Sequence, residues 1–397
     1  MKTSLFPTVL LAALLLAVTA VAQTATQKAP LRAQPSLQET KETSAEAIND
    51  RKSIHGGISW PLDDGRGYPL GYGYFIWKRS AWPCPTADFR LVFAGVAGDI
   101  ELTMRGLISE NTDLGFGGAW QTMGRFEEYD RGQLRLGNRM GLERYSGRIF
   151  VQQHLVANYT EIAKVRAAYE FGHEGYYHHN DTAPTFQIAT SGMFQTATLN
   201  AGTGKLNRSN FSPSGWDFNV GFEATFRDDW QAWGPPNRWD SPSRFQKFSL
   251  DGTYVLDSFE EQKLVTKFSG GVGNGVDRLA ASKLGGALTG WPNALVMHGY
   301  YTREIFAEDY ALLNLDYVLP IHEEQELALH FYGDAAMTKR SDIPDRAIHL
   351  WSGVGTGVSV KGWWETQWLL GYGYGINAQR GNDNGGHEVF AQMSKQF

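Results

Sequence analysis

Residues 217–227 read DFNVGFEATFR, and their chemistry alternates at every step. Phe218, Val220, Phe222, Ala224 and Phe226 fall on one face of an extended chain. Asp217, Asn219, Gly221, Glu223, Thr225 and Arg227 fall on the other. One such strand fits a soluble sandwich as well as a membrane wall, since both are apolar on one side. Recurrence separates the two. Ala163, Val165, Ala167, Tyr169 and Phe171 alternate with Lys164, Arg166 and Glu170. Ala311, Leu313, Leu315, Tyr317 and Leu319 alternate with Asn314 and Asp316, and Leu327, Leu329, Phe331 and Gly333 with Glu326, His330 and Asp334. Trp364, Trp368, Leu370, Tyr372 and Tyr374 alternate with Glu365, Gln367, Gly371 and Gly373.

Each run is about 9–11 residues long, enough to cross hydrocarbon at a barrel tilt, whereas soluble strands average about 5–6. Lipid offers backbone groups no hydrogen-bond partner, so a sheet of such strands must close on itself. Trp363 and Trp364 at one strand end, with Tyr372 and Tyr374 near the other, suit the aromatic girdles of the two interfaces. The expected fold is all-β: a transmembrane antiparallel outer-membrane β-barrel of about 16 strands, with 12 or 14 as alternatives, because bacterial barrels favour even numbers. Strands are read between Tyr68 and Phe397, with further candidates at 126–136 and 185–199.

Composition agrees. The 45 glycines among 397 residues exceed the usual share of about 7% and suit a chain of tight turns. A mean hydropathy of −0.35 excludes a helical membrane bundle but not a barrel, where only alternate residues meet lipid. The net charge of −6 is spread along the chain, and no basic patch of the kind nucleic acid requires is present. Cys84 is the single cysteine, which excludes an intrachain disulfide and a CxxC zinc site and leaves a free thiol in a loop.

Residues 1–22 read as a cleavable signal peptide: Lys2, an apolar run from Leu5 to Val18, then Ala20-Val21-Ala22 with cleavage after Ala22. The run is short of the roughly 20 residues a membrane-anchor helix needs. Residues 23–55 are rich in Gln, Thr, Ala, Glu and Lys and read as a flexible periplasmic leader, and residues 56–397 as the barrel. The short link 320–325 suits a periplasmic turn. The longer stretches 173–215, 229–244 and 275–308 suit loops on the opposite side.

The chain ends HEVFAQMSKQF, with Val389, Ala391, Met393 and Lys395 in register with Phe397. A last strand closing on Phe397 resembles the signal by which barrels are recognised for outer-membrane assembly; Lys395 departs from the apolar residue usual there, though its stem can snorkel. Further resemblance lies upstream. YALLNLDYVLPI, LALHFYGDAA, SGVGTGVSV, WLLGYGYGI and the Phe-ended strand follow a long loop in the order seen in the bacterial surface antigen family, the BamA/TamA/FhaC-type barrels. LAASKLGGAL resembles that family's approach to its loop motif. The resemblance covers the C-terminal third; the rest matches only as a generic barrel.

The resemblance implies a loop whose Arg-Gly-aromatic tip enters the lumen. Here His298-Gly299-Tyr300-Tyr301 stands at the tip, with His where the family has Arg. It also implies acidic lumen partners, matched by Asp316 and Asp334, with Arg303 as the expected substitute cation; the alternative reading of the two acids is a pair of wet lumen carboxylates that hold no loop. The family's POTRA domains have no counterpart, since residues 23–55 are too few and too polar to fold into one.

Other motifs carry less. Adjacent ligands such as His178-His179-Asn180-Asp181 rarely converge on one metal, and no second pair supports them. No GxSxG or HExxH string occurs. GYGYG at 71–75 lacks a βαβ context, and VGNG at 272–275 reads as a turn. Trp230, Trp233 and Trp239 mark a loop read as packing against the barrel rim. The expected function is a non-enzymatic outer-membrane barrel of the surface antigen type, assisting insertion or translocation of polypeptide or lipid. The alternatives are a passive porin-like channel and a lipid hydrolase at the outer rim. Expected partners are outer-membrane lipid and, through the C-terminal strand, the barrel-assembly machinery. No cofactor, metal or nucleic acid is expected.

Overall fold

The computed structural model describes residues 50–63, 68–157, 160–207, 213–236, 242–257, 262–288, 294–322, 326–340 and 348–397. The proposed signal peptide, its cleavage residue Ala22, the leader up to residue 49 and Trp239 lie outside the described residues.

Sixteen antiparallel strands close into a barrel. They are β1 Asp50–Pro61, β2 Leu70–Ser80, β3 Ala87–Phe93, β4 Ala97–Ser109, β5 Thr112–Phe126, β6 Met140–Ala157, β7 Thr160–His178 and β8 Gly192–Asn207. They continue as β9 Ser214–Arg227, β10 Arg244–Asp257, β11 Lys263–Asn274, β12 Asp309–His322, β13 Leu327–Lys339, β14 Ile348–Lys361, β15 Gln367–Arg380 and β16 Asp383–Gln396. The seam pairs β1 with β16, from Ser53 opposite Gln396 to Pro61 opposite Glu388. No backbone edge faces lipid there, as the membrane demands.

The alternation read from the sequence is the inside–outside alternation of the wall. On β9, Phe222 is exposed outward, while Thr225 and Arg227 are buried inward. Leu313, Leu315, Phe331, Trp368 and Leu370 also stand exposed, which only a lipid surround makes favourable. Trp363 and Trp364 project from the β14–β15 turn at one end, and Trp60 at the other.

Four expectations change. Strand β1 starts at Asp50, inside the stretch read as leader, so Asp50 to His55 are wall rather than tether. Residues 126–136 are not a wall strand: they carry a two-residue hairpin, Tyr129–Asp130 with Gln133–Leu134, in the β5–β6 loop. Most of 173–215 is wall, because β7 runs to His178 and β8 begins at Gly192. Most strands also exceed the expected length of about 9–11 residues, reaching 19 in β7, because the hairpins continue as paired ribbons past the length that crosses hydrocarbon, whereas β3 has only 7.

Candidate functional site

Residues 275–288 and 294–308, between β11 and β12, pack inside the barrel against one side of its wall. A short hairpin, Ser282–Leu284 with Ile305–Ala307, starts and ends the excursion. Leu284, Met297, Tyr300 and Ile305 pack with the inward residues Tyr310, Leu312, Ala336 and Ala378. Farther in, Ala287 and Leu288 pack on Tyr332, Leu369 and Phe390. The loop therefore lies on the wall from β12 to β16, burying apolar area in place of lumen water.

The tip is held by a buried carboxylate. Asp334 Oδ2 accepts from the backbone N–H of His298 at 2.6 Å and from its Nδ1 at 2.7 Å. Asn314 Nδ2 donates to Asp334 Oδ1 at 2.7 Å and to the Val296 carbonyl at 2.9 Å. The imidazole stacks on Tyr332 with centroids 4.2 Å apart. His298 is 3% exposed. Burial opposes its positive charge, but Asp334, with Glu388 and Asp316 behind it, outweighs that, and the His298 pKa is raised. Asp334 thus offsets the cost that burial imposes on a positive charge at His298.

Arg303, the expected substitute, has the Glu127 carboxylate near it, whereas Asp334 is bonded by His298 and Asn314. Asp316 instead faces His330, at 3.1 Å from its Nδ1. The guanidinium beside the tip comes from the wall: Arg380 pairs with Glu304 at 2.7 Å and Asp63 at 3.1 Å, and donates to the Gly299 carbonyl at 3.2 Å. Glu388 on the last strand accepts from Ala287 N at 3.1 Å and Gly299 N at 3.3 Å. Ser59 on β1 also donates to Glu388, so one carboxylate holds both loop and seam. Tyr300 donates to Asn377 Oδ1 at 2.7 Å, near the top of β15.

Glycine makes the docking possible. Gly299 has φ +78°, and a Cβ there would lie 1.9 Å from Gly375 N. On the wall, a Cβ at Gly353 would meet the His298 carbonyl at 2.4 Å, and one at Gly373 would meet Gly299 N at 2.6 Å. Backbone therefore packs on backbone, and the glycine-rich strands quoted above supply the floor.

Outer loops close over this plug. Trp233 is buried edge-on against Phe126, whose ring also meets Phe306 of the loop hairpin. Arg227 pairs with Asp277 at 2.6 Å and Arg278 with Glu128 at 3.0 Å. Burial pushes the Lys283 ammonium down to about 7, beneath the Phe126 and Phe306 rings. His179 and Asp181 belong to this cap, where Asp181 accepts from Arg139. Cys84 is a free thiol between β2 and β3, and Phe397 stands exposed beyond β16.

The facing wall is different. Asp99 and Glu101 on β4 meet Arg148 on β6 at 2.7 and 3.1 Å, and Glu101 meets Arg166 on β7 at 2.8 Å. Arg166 lies over the Phe150 ring at 3.5 Å. These side chains remain half-buried, with no plug residue on them among the hydrogen bonds and ion pairs above.

Sequence reasoning missed Glu388, Asn314 and Arg380. Glu388 was findable, because it sits in the inward register of the last strand opposite to Phe397. Arg380 was not, because a bulge after Gly375 resets the register before it.

No family model matches the chain, and no curated protein matches it. Among solved structures it is similar to CdiB from Acinetobacter baumannii, with TM-score 0.61 and 8% identity over 88% of this chain and 60% of that one. It is similar to BamA from Haemophilus ducreyi lacking POTRA domains 1-3, with TM-score 0.60 and 12% identity over 97% of this chain and 78% of that one. CdiB from Escherichia coli gives 0.53 and 12% over 87% and 63%. The chain thus spans less than two thirds of the CdiB chains. At these identities the likeness is one of fold: the chain has the 16-stranded architecture of BamA- and CdiB-type outer-membrane barrels.

Proposed function

We propose that this protein acts in the outer membrane as a plugged barrel that assists insertion or translocation of a polypeptide or lipid. Its C-terminal strand is the element offered to the barrel-assembly machinery, and its exposed aliphatic belt is the surface offered to lipid. The observation that carries the reading is the docking of His298 on Asp334, with Gly299 seated in the glycine floor. A passive pore gains nothing from a plug held by a buried ion pair. A barrel that must stay sealed until cargo arrives does, because the pair gives one defined closed state.

The charged wall of β4, β6 and β7 favours a second reading, a diffusion channel beside the plug. A lipid hydrolase at the outer rim is less favoured: the contacts Ser53–His55 and Ser359–His330 lie on inward-facing positions. The test is assisted folding of a small, urea-unfolded outer-membrane barrel into liposomes carrying this protein. A several-fold faster folding rate is expected. A rate equal to that of empty liposomes, with steady solute leakage, selects the channel.

A further inference from the structure

We propose that Ser359, His330 and Asp316 form a nucleophilic centre on the lumen wall, able to cleave small carboxylic esters. Three neighbouring strands, β14, β13 and β12, each contribute one inward residue. His330 Nε2 lies 2.9 Å from Ser359 Oγ. His330 Nδ1 lies 3.1 and 3.2 Å from the two Asp316 oxygens. The carboxylate fixes the tautomer with the proton on Nδ1, so the Nε2 lone pair faces the serine hydroxyl. That order is the one a general base needs to activate a serine.

A second observation points to a ligand. The Tyr332 hydroxyl is buried and has no hydrogen-bond partner among the described residues. Its ring is fixed between His298 and His330. The hydroxyl lies 3.1 Å from where a Cβ on Gly357 would stand, two residues before Ser359 on the same face. Leaving a buried O–H unmatched is costly, and a substrate oxygen there would satisfy it. A hydroxyl so placed is suited to hold the oxyanion of a tetrahedral intermediate. Apolar side chains adjoin the nucleophile: Ala328 is opposite Ser359, and Val318, opposite His330, packs with Val255 and Val265. His330 and Ser359 lie near the end of the barrel where β1 starts and β16 finishes, so the substrate enters from that mouth.

In the first step Ser359 Oγ bonds to the ester carbonyl carbon, and its proton passes to His330 Nε2. The carbon–alkoxy bond breaks, His330 returns the proton, and the alcohol leaves. Water then attacks the Ser359 ester by the same route, releasing the acid and restoring the serine. Asp316 is a positioning residue.

The test is labelling of the folded, detergent-solubilised protein with a fluorophosphonate, whose phosphorus bonds to the serine oxygen as fluoride leaves, alongside hydrolysis of p-nitrophenyl butyrate. One adduct on Ser359 is expected. Ser359→Ala should abolish it while keeping the heat-modifiable gel shift of a folded barrel. His330→Asn should slow labelling about 100-fold or more. Tyr332→Phe should lower kcat with KM little changed. Asp316→Asn should slow labelling and shift its pH profile, with partial rescue by Asp316→Glu. No adduct on Ser359 in the folded wild-type protein, or an unchanged rate in His330→Asn, overturns the proposal.

Discussion

Between β12 and β16 the inner wall sets glycines where the loop tip docks and apolar rings where the rest of the described loop packs; between β4 and β7 it carries Asp99, Glu101, Arg148 and Arg166. Both walls obey the same inside–outside alternation, with apolar residues toward lipid. The difference lies in what each inward residue meets. Where backbone arrives, any side chain is an obstruction, and Gly353, Gly373 and Gly375 remove it. Where water stays, charges pair with each other across strands at modest strength. One half of the lumen is therefore built as a protein interior and the other as a wetted surface.

The largest expected effect comes from refilling the glycine seat. Gly299→Val places a side chain against the backbone at Gly375 in a left-handed conformation, at about 4 kcal/mol or more of docking. The loop should leave the wall, and trypsin should then cut at Arg278, Lys283 or Arg303. Full protection of the variant would mean the seat is not what holds the loop.

Next comes the carboxylate. Asp334→Asn leaves buried His298 without its counter-ion and should cost about 3 kcal/mol. Asp316→Asn removes a contact to His330 and should leave the loop protected. Unchanged protection in Asp334→Asn would count against its docking role; equal loss in the two single variants would contradict the assignment of that role to Asp334 alone.

Acidity follows. The His298 pKa is raised on docking, so the docked tip binds a proton more tightly than the free one. Its contribution is fully present below about 6.5, the ordinary imidazole value, and is lost as pH rises through the docked value. Protease protection should therefore weaken toward alkaline pH, and His298→Gln should flatten the profile. A profile that strengthens with pH would contradict a His298 pKa raised by docking.

The smallest effect belongs to the wet wall. Arg148→Ala should cost less than Asp334→Asn, because its partners Asp99 and Glu101 keep 23% and 12% side-chain exposure where Asp334 has 0%. Urea unfolding checks this, and a loss like that of Asp334→Asn would erase the contrast between the walls.

The strands were legible because lipid and lumen impose a period of two over lengths that a turn or short loop hairpin does not reach. DFNVGFEATFR shows it without tertiary help. Residues 126–136 misled because short alternation also suits a small hairpin above the membrane. The acids Asp316 and Asp334 were legible as inward residues, but the division of their partners was not: Asp334 meets His298 and Asn314 and Asp316 meets His330 only once strands and loop come together, and Arg303 was favoured only for being near in sequence. The Ser359–His330–Asp316 grouping was beyond sequence reading for the same reason: it exists only once β12, β13 and β14 pair in register.

The most direct test of a lumen half closed by its own loop is single-channel conductance of the refolded protein in a planar bilayer, with and without residues 275–307. The expected result is a nearly closed intact protein and a large, steady pore after deletion. Steady conductance from the intact protein, little changed by the deletion, would contradict it.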